Sequence, residues 1–89
     1  MDINEVFNQI KKRWVLSERY KLIEELEEAP RSAATGGEVQ HLYAKFFLEL
    51  KENDLNAFSE IADLVDEFAK ECAKYGTIVK GYNYKPYSN

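Results

Sequence analysis

The sequence predicts an all-α domain: a compact antiparallel bundle of about four helices with an irregular, tyrosine-rich C-terminal tail. Three observations predict it. Apolar residues recur at spacings of three and four along four separate stretches, as they do on helices that turn one face to a core. Only four glycines and two prolines stand among 89 residues, fewer turn residues than a β-sandwich or a loop-rich fold uses. The stretches are also joined by short connections, which make neighbouring helices run antiparallel. The length suits one domain, divided into a helical bundle over residues 1–76 and a tail over residues 77–89 that packs on the bundle or faces a partner.

The first helix is read from Asp2 to Trp14, where Ile3, Val6, Phe7, Ile10 and Trp14 form one stripe. Lys11, Lys12 and Arg13 crowd its last turn, where cations suit the negative end of the helix dipole. Ser17 is expected to cap the second helix, with Glu18 in its first turn. Tyr20, Leu22, Ile23, Leu26 and Ala29 line that helix before Pro30 stops it. Residues 30–37 form the clear interior loop, and Ser32 and Thr35 are alternative caps for the third helix. With Ser32 as the cap, Gly36 and Gly37 fall in the first turns, each weakening the helix by roughly 1 kcal/mol relative to alanine.

The third helix carries the most regular stripe of the chain: Val39, Leu42, Tyr43, Phe46, Phe47 and Leu50. Asn53 and Asp54 break it, and Asp54 caps a fourth helix lined by Leu55, Phe58, Ile61, Ala62, Val65, Phe68, Ala69, Cys72 and Tyr75, with Gly76 as its stop. The expected core is Ile10, Ile23, Leu26, Leu42, Phe46, Leu50, Ile61, Val65 and Phe68. The tail from Thr77 to Asn89 has neither a helical stripe nor the length for a stable sheet.

Sixteen acidic residues against twelve basic ones leave a net charge of −4 and a pI near 5.0. The acid is concentrated in residues 17–30 and 55–75, and the last fourteen residues contain none. Such a surface repels phosphate backbones and anionic membranes, and it attracts basic proteins and speeds their association. Charge of this size also keeps a small protein soluble. No apolar run approaches the ~20 residues that cross a bilayer. The opening Met-Asp-Ile-Asn-Glu-Val has no basic segment before an apolar one. The expectation is a cytoplasmic protein that binds neither membrane nor nucleic acid.

Little in the chain supports catalysis. A single cysteine, Cys72, excludes an internal disulfide and a Cys-based zinc site within one chain. It lies on the apolar stripe, where a free thiol acts as a small hydrophobe. His41, the one histidine, flanks the stripe of its own helix, so the two do not form a nucleophilic pair. Glu38-Val39-Gln40-His41 has the Glu-x-x-His spacing of di-iron bundles, which use two copies and two further glutamates. One copy is present, so it reads as an exposed polar edge, and no metal or cofactor is expected. Gly36-Gly37 lacks the lysine and the preceding strand of a phosphate loop. An enzyme acting alone is not expected.

Carboxylates are plentiful. Glu24, Glu25, Glu27 and Glu28 crowd the second helix, and Glu60, Asp63, Glu67 and Glu71 make one stripe on the fourth. Asp63–Glu67 and Glu67–Glu71 are like charges one turn apart, each unfavourable by about a few tenths of a kcal/mol and partly offset by Lys70 and Lys74. Such runs are solvated helix faces in most proteins; they also suit docking of a cationic partner. Tyr82, Tyr84 and Tyr87 add stiff, amphipathic side chains of the kind found at interfaces, with too little positive charge nearby for stacking nucleic-acid bases. The candidate partner-binding residues are therefore Glu24, Glu28, Glu60, Asp63, Glu67, Tyr82 and Tyr84.

Leu16-Ser17-Glu18-Arg19, an acidic second helix ending near Glu28-Ala29, and Gly37-Glu38 opening an aromatic-rich third helix give residues 16–76 a further character. In these features the chain resembles small bacterial immunity proteins that neutralise polymorphic or contact-dependent toxins. Its stretch from Pro30 to Gly36 is longer than the short Gly-Glu turn of that family. The resemblance implies an acidic helical inhibitor that binds one toxin domain. The expected partner is a basic protein, a toxin or nuclease domain, and the chain itself is expected to be non-catalytic and a monomer or homodimer. Two other classes compete: a homo-oligomeric regulatory or assembly subunit using an apolar face left over on the first helix, and a helical metal-binding protein using Glu38 and His41.

Overall fold

A computed structural model describes residues 1–74, which form five α-helices and one 3-10 turn. They are α1 (Ile3–Leu16), α2 (Tyr20–Glu28), the 3-10 turn (Ala29–Ser32), α3 (Gly36–Asn53), α4 (Leu55–Ser59) and α5 (Ala62–Lys74). No strand occurs among the described residues, so the fold is all-α, and no helix among them is long and apolar enough to cross a membrane. The expected stop at Gly76 and the tail, with Tyr82 and Tyr84, lie outside the described residues.

Capping explains most boundaries. The Asp2 carboxylate accepts the Glu5 backbone N–H at 2.8 Å and opens α1. That helix closes with two reversed bonds, Glu18 N–H to Val15 O at 3.1 Å and Arg19 N–H to Trp14 O at 2.7 Å, the pair that defines a Schellman motif. The motif requires a left-handed residue, here Glu18 at φ 59°, where glycine is usual. Ser17 therefore does not cap the second helix, and Glu18 is not in its first turn. Both residues belong to the end of α1, and α2 starts after Arg19 with no side-chain cap.

Thr35, not Ser32, opens α3. Its hydroxyl accepts the Glu38 N–H at 3.3 Å, and the Glu38 carboxylate accepts the Ala34 N–H at 3.2 Å, a reciprocal arrangement close to a capping box. Asp54 caps as expected, accepting the Ala57 N–H at 3.1 Å.

The expected single fourth helix is two helices. Ile61 N–H bonds to Phe58 O at 3.0 Å, and Leu64 N–H bonds to Ile61 O at 2.9 Å. Each has shifted from the carbonyl four residues back to the one three back, which frees Ala57 O and Glu60 O. Buried carbonyls need partners, and α1 provides both: Trp14 Nε1 donates to Ala57 O at 3.4 Å and Arg13 Nη1 to Glu60 O at 3.1 Å. The break between α4 and α5 is thus completed by side chains more than forty residues earlier.

Helix α1 packs against α2 and α5, while α3 packs against the 3-10 turn, α4 and α5. Of the expected core, Ile10, Leu26, Leu50, Ile61, Val65 and Phe68 are buried. Ile23, Leu42 and Phe46 are only half-buried. Val6, Trp14, Phe47 and Cys72 are buried with them, as are Phe58, Leu64, Ala44, Ala57 and Ala69. Phe47 is 1% exposed, with ring centroids 5.3 Å from Phe68 and 5.7 Å from Phe46. Adjacent residues on a helix point roughly 100° apart, so the docking of α5 on Phe47 leaves Phe46 nearer the edge, where it meets the Trp14 ring at 6.3 Å.

Candidate functional site

The two acidic stretches of the sequence have different fates. On α5 and the break before it, carboxylates are tied to cations. Arg19 donates to Glu60 through Nε at 3.1 Å and Nη2 at 2.8 Å, and the Ser17 hydroxyl donates to the same carboxylate at 2.7 Å. These bonds hold the Glu60 carboxyl below its usual range, Arg19 contributing most. Arg13 grips Asp63 through both terminal nitrogens, Nη2 lying 3.0 Å from Oδ2, and lowers that carboxyl in the same way. Glu67 lies 3.8 Å from Lys70. Glu71 is no part of a solvated face: it is 6% exposed and accepts from Lys74 Nζ at 3.0 Å.

Helix α2 is the opposite case. Glu24, Glu25 and Glu28 are exposed and make no ion pair among the described residues; only Glu27 is paired, with Lys11 Nζ at 3.2 Å. No basic residue occupies the last turn of α2, where Glu27 and Glu28 stand and the dipole is negative; the first cation beyond it is Arg31, at the end of the 3-10 turn that continues the helix. Glu24 and Glu28 are also like charges one turn apart. Local electrostatics disfavours carboxylates in this position.

The acidic sector of α2 continues across a groove to α3. The groove, about 210 Å³ in volume, is lined by Leu22, Glu25, Phe46, Glu49, Leu50, Asn53 and Asp54. Its floor is apolar and three carboxylates rim it. Asp54 also lies 3.8 Å from Arg19 Nη1, so the Arg19 guanidinium reaches both Asp54 and Glu60 at the end of the groove. Leu22, Glu25 and Asp54 also line the adjoining depression beside Tyr20, whose ring is exposed. Sequence spacing singles out Glu24 and Glu28 as partner-binding residues but not Glu25, Glu49 or Asp54. That these three line one groove depends on how the 3-10 turn sets α2 beside α3, which no local spacing encodes.

The remaining candidates take structural places. Cys72 is fully buried, and burial, with the nearby Glu71, pushes its thiol up to about 11. His41 is exposed, and the Glu38 carboxylate is engaged in the cap of α3. Among the described residues no three His, Cys, Asp or Glu side chains converge as a metal site would require. At the far end of α1, Val15 and Leu16 are exposed beside Lys11 and Lys12.

No protein-family model, curated protein or solved structure matches the chain.

Proposed function

We propose that the chain is a non-catalytic protein-binding module that inhibits a basic partner, a toxin or nuclease domain, in the manner of an immunity protein. The observation that supports this reading is the carboxylate face of α2. Glu24, Glu25 and Glu28 are exposed and unpaired among the described residues, and Glu28 stands at the wrong end of its helix dipole. The placement of Glu28 at the end of its helix opposes folding by about 0.3–1 kcal/mol, and its like-charge pair with Glu24 by about a few tenths of a kcal/mol. A cation brought by a partner removes that cost on binding, so charge that disfavours the free fold favours the complex. In the proposed mechanism these carboxylates take the place of phosphates in a cleft made for a polyanion and close it to substrate. Glu60 and Asp63, held by Arg19 and Arg13, contribute less to docking than Glu24 and Glu28; Glu67 is a further acidic contact, and Tyr82 and Tyr84, outside the described residues, are the aromatic anchors that set most of the affinity in this reading.

The test uses a basic protein encoded beside this chain, where the reading expects the target to be found. Binding is measured by titration calorimetry for the parent and for the Glu24→Lys/Glu28→Lys double variant, at low and high salt. The expected result is tight, salt-sensitive binding that the double variant weakens by roughly tenfold or more, the effect of losing two charge pairs. Equal affinity for both chains, unaffected by salt, would sink the reading.

A second reading is a homo-oligomeric assembly subunit. It is favoured by Val15 and Leu16, the latter 86% exposed, at the end of α1. Sedimentation bears on the choice, since a free inhibitor can travel as a 10.4-kDa monomer and the assembly subunit cannot.

A further inference from the structure

We infer that the groove between α2 and α3 receives one arginine side chain of the basic partner, its stem lying on Leu22, Phe46 and Leu50 and its guanidinium between Glu25 and Glu49, since Asp54 is already taken by the cap of α4 and by Arg19. This rests on the reading of the chain as an inhibitor of a basic protein and names what that protein must present.

Size points to a side chain. At about 210 Å³ the groove is smaller than the ~300 Å³ at which small-molecule and cofactor sites begin. Its chemistry is divided as a long cationic side chain is divided, with an apolar floor for the methylene stem and acceptors at the rim for the charged head. No basic residue lines the groove itself, although Arg19 pairs with Asp54 at its end and Lys21 lines the adjoining depression. The nearest lysine to Glu49 is Lys45, at 3.9 Å between two largely exposed side chains, a pair too loose to hold the carboxylate against a competitor.

Arginine suits the groove better than lysine. A guanidinium offers five donors in one plane and stacks on an aromatic ring, whereas an ammonium is a compact, strongly hydrated charge. The groove provides several acceptors around the half-buried Phe46 ring. The molecule already shows the arrangement once, because Arg19 spans Asp54 and Glu60 at the end of this same groove.

The experiment is an NMR titration of the full chain with acetyl-Gly-Arg-Gly-amide and with the same peptide carrying citrulline, the neutral isostere. The expected result is saturable shifts at the amides of Leu22, Glu25, Glu49 and Asn53 with the arginine peptide and none with citrulline. Glu25→Gln/Glu49→Gln, which keeps the shape of both side chains, is expected to weaken the response about tenfold, the equivalent of one charge-assisted hydrogen bond. Unchanged binding by that variant overturns the inference. So do shifts spread evenly over Glu24, Glu28 and Glu67 with no excess in the groove, although that outcome leaves the acidic-inhibitor reading standing. No response anywhere at low salt overturns the groove and removes the charge argument for the inhibitor as well.

Discussion

Arg19 and Glu60 stand 41 residues apart in the chain and meet in a two-pronged pair, Nε to Oε1 at 3.1 Å and Nη2 to Oε2 at 2.8 Å. The pair ties the turn after α1 to the break between α4 and α5, and it holds the Glu60 carboxyl below its ordinary value. A carboxyl depressed in the fold contributes stability that is fully present above the unfolded-state value, about 4.3 for glutamate, and lost as pH falls through the folded value. The thermal midpoint is therefore expected to decline as pH drops below that value. Glu60→Gln is expected to melt lower than the parent at pH 7 and to decline less steeply in acid. Melting curves by circular dichroism across this range check it, and identical pH profiles for the two chains would refute the assignment.

Glu18 occupies the left-handed position of the Schellman turn at φ 59°. That conformation costs a non-glycine residue about 1–2 kcal/mol, and glycine returns about 0.5–1 kcal/mol of it as extra entropy in the unfolded chain. Glu18→Gly is expected to stabilise the protein by up to about 1 kcal/mol, a rise in midpoint of roughly 4–8 °C for a domain of this size. Glu18→Val, β-branched, is expected to shift the midpoint the other way. Equal melting of all three chains would mean that the turn stores no strain.

Phe47 is the buried ring at the centre of the core and Phe46 the half-buried one beside it. Phe47→Ala is expected to cost about 3–5 kcal/mol, enough to unfold a domain of modest stability. Phe47→Leu, a milder change, is expected to remain folded with a midpoint in urea below that of the parent. Phe46→Ala is expected to cost less than Phe47→Ala. The reverse order in urea titrations would show that Phe46, not Phe47, anchors the core.

Glu28→Lys places a cation at the C-terminus of α2, where the dipole favours it, and removes the clash with Glu24. A gain of about 0.3–1 kcal/mol is expected, together with weaker binding of the basic partner. The opposite signs of these two effects separate a charge kept for binding from one kept for folding. Loss of both stability and binding would point to a structural carboxylate.

Cys72 is fully buried with its thiol raised to about 11, and only the thiolate reacts readily. The native protein at pH 8 is expected to resist a thiol reagent that labels the urea-unfolded chain at once. Labelling at the same rate in both states would place the sulfur at the surface.

The stripes of α1 and α3, the end of α2 just before Pro30 and the Asp54 cap are legible in the sequence because each is written within a few residues, whereas the expected loop from residue 30 begins as a 3-10 turn over Ala29–Ser32. Three features are not. The choice of Thr35 over Ser32 turns on Glu38, whose carboxylate reaches back to Ala34 and completes the cap. The break after Ser59 contains no glycine or proline. It is held by Trp14 and Arg13 taking carbonyls 43 and 47 residues away, and local periodicity carries no trace of that. For the same reason the acidic stripe beginning at Glu60 reads, from spacing alone, as open to a partner. Its cations, Arg19 and Arg13, have local explanations of their own, one in the resemblance and one in the helix dipole.

The contact of α1 with α5 also sets the order in which the molecule can be completed. Synthesis proceeds from the N-terminus at about 5–20 residues per second, so Val6, Ile10 and Trp14 are made long before Val65, Phe68 and Cys72, three of the buried residues of the helix that packs on α1. A nascent chain that has reached only Asn53 has no α5 to cover the apolar face of its first helix. The core closes on the last helix described, and until then that face is available to chaperones or to other unfinished chains.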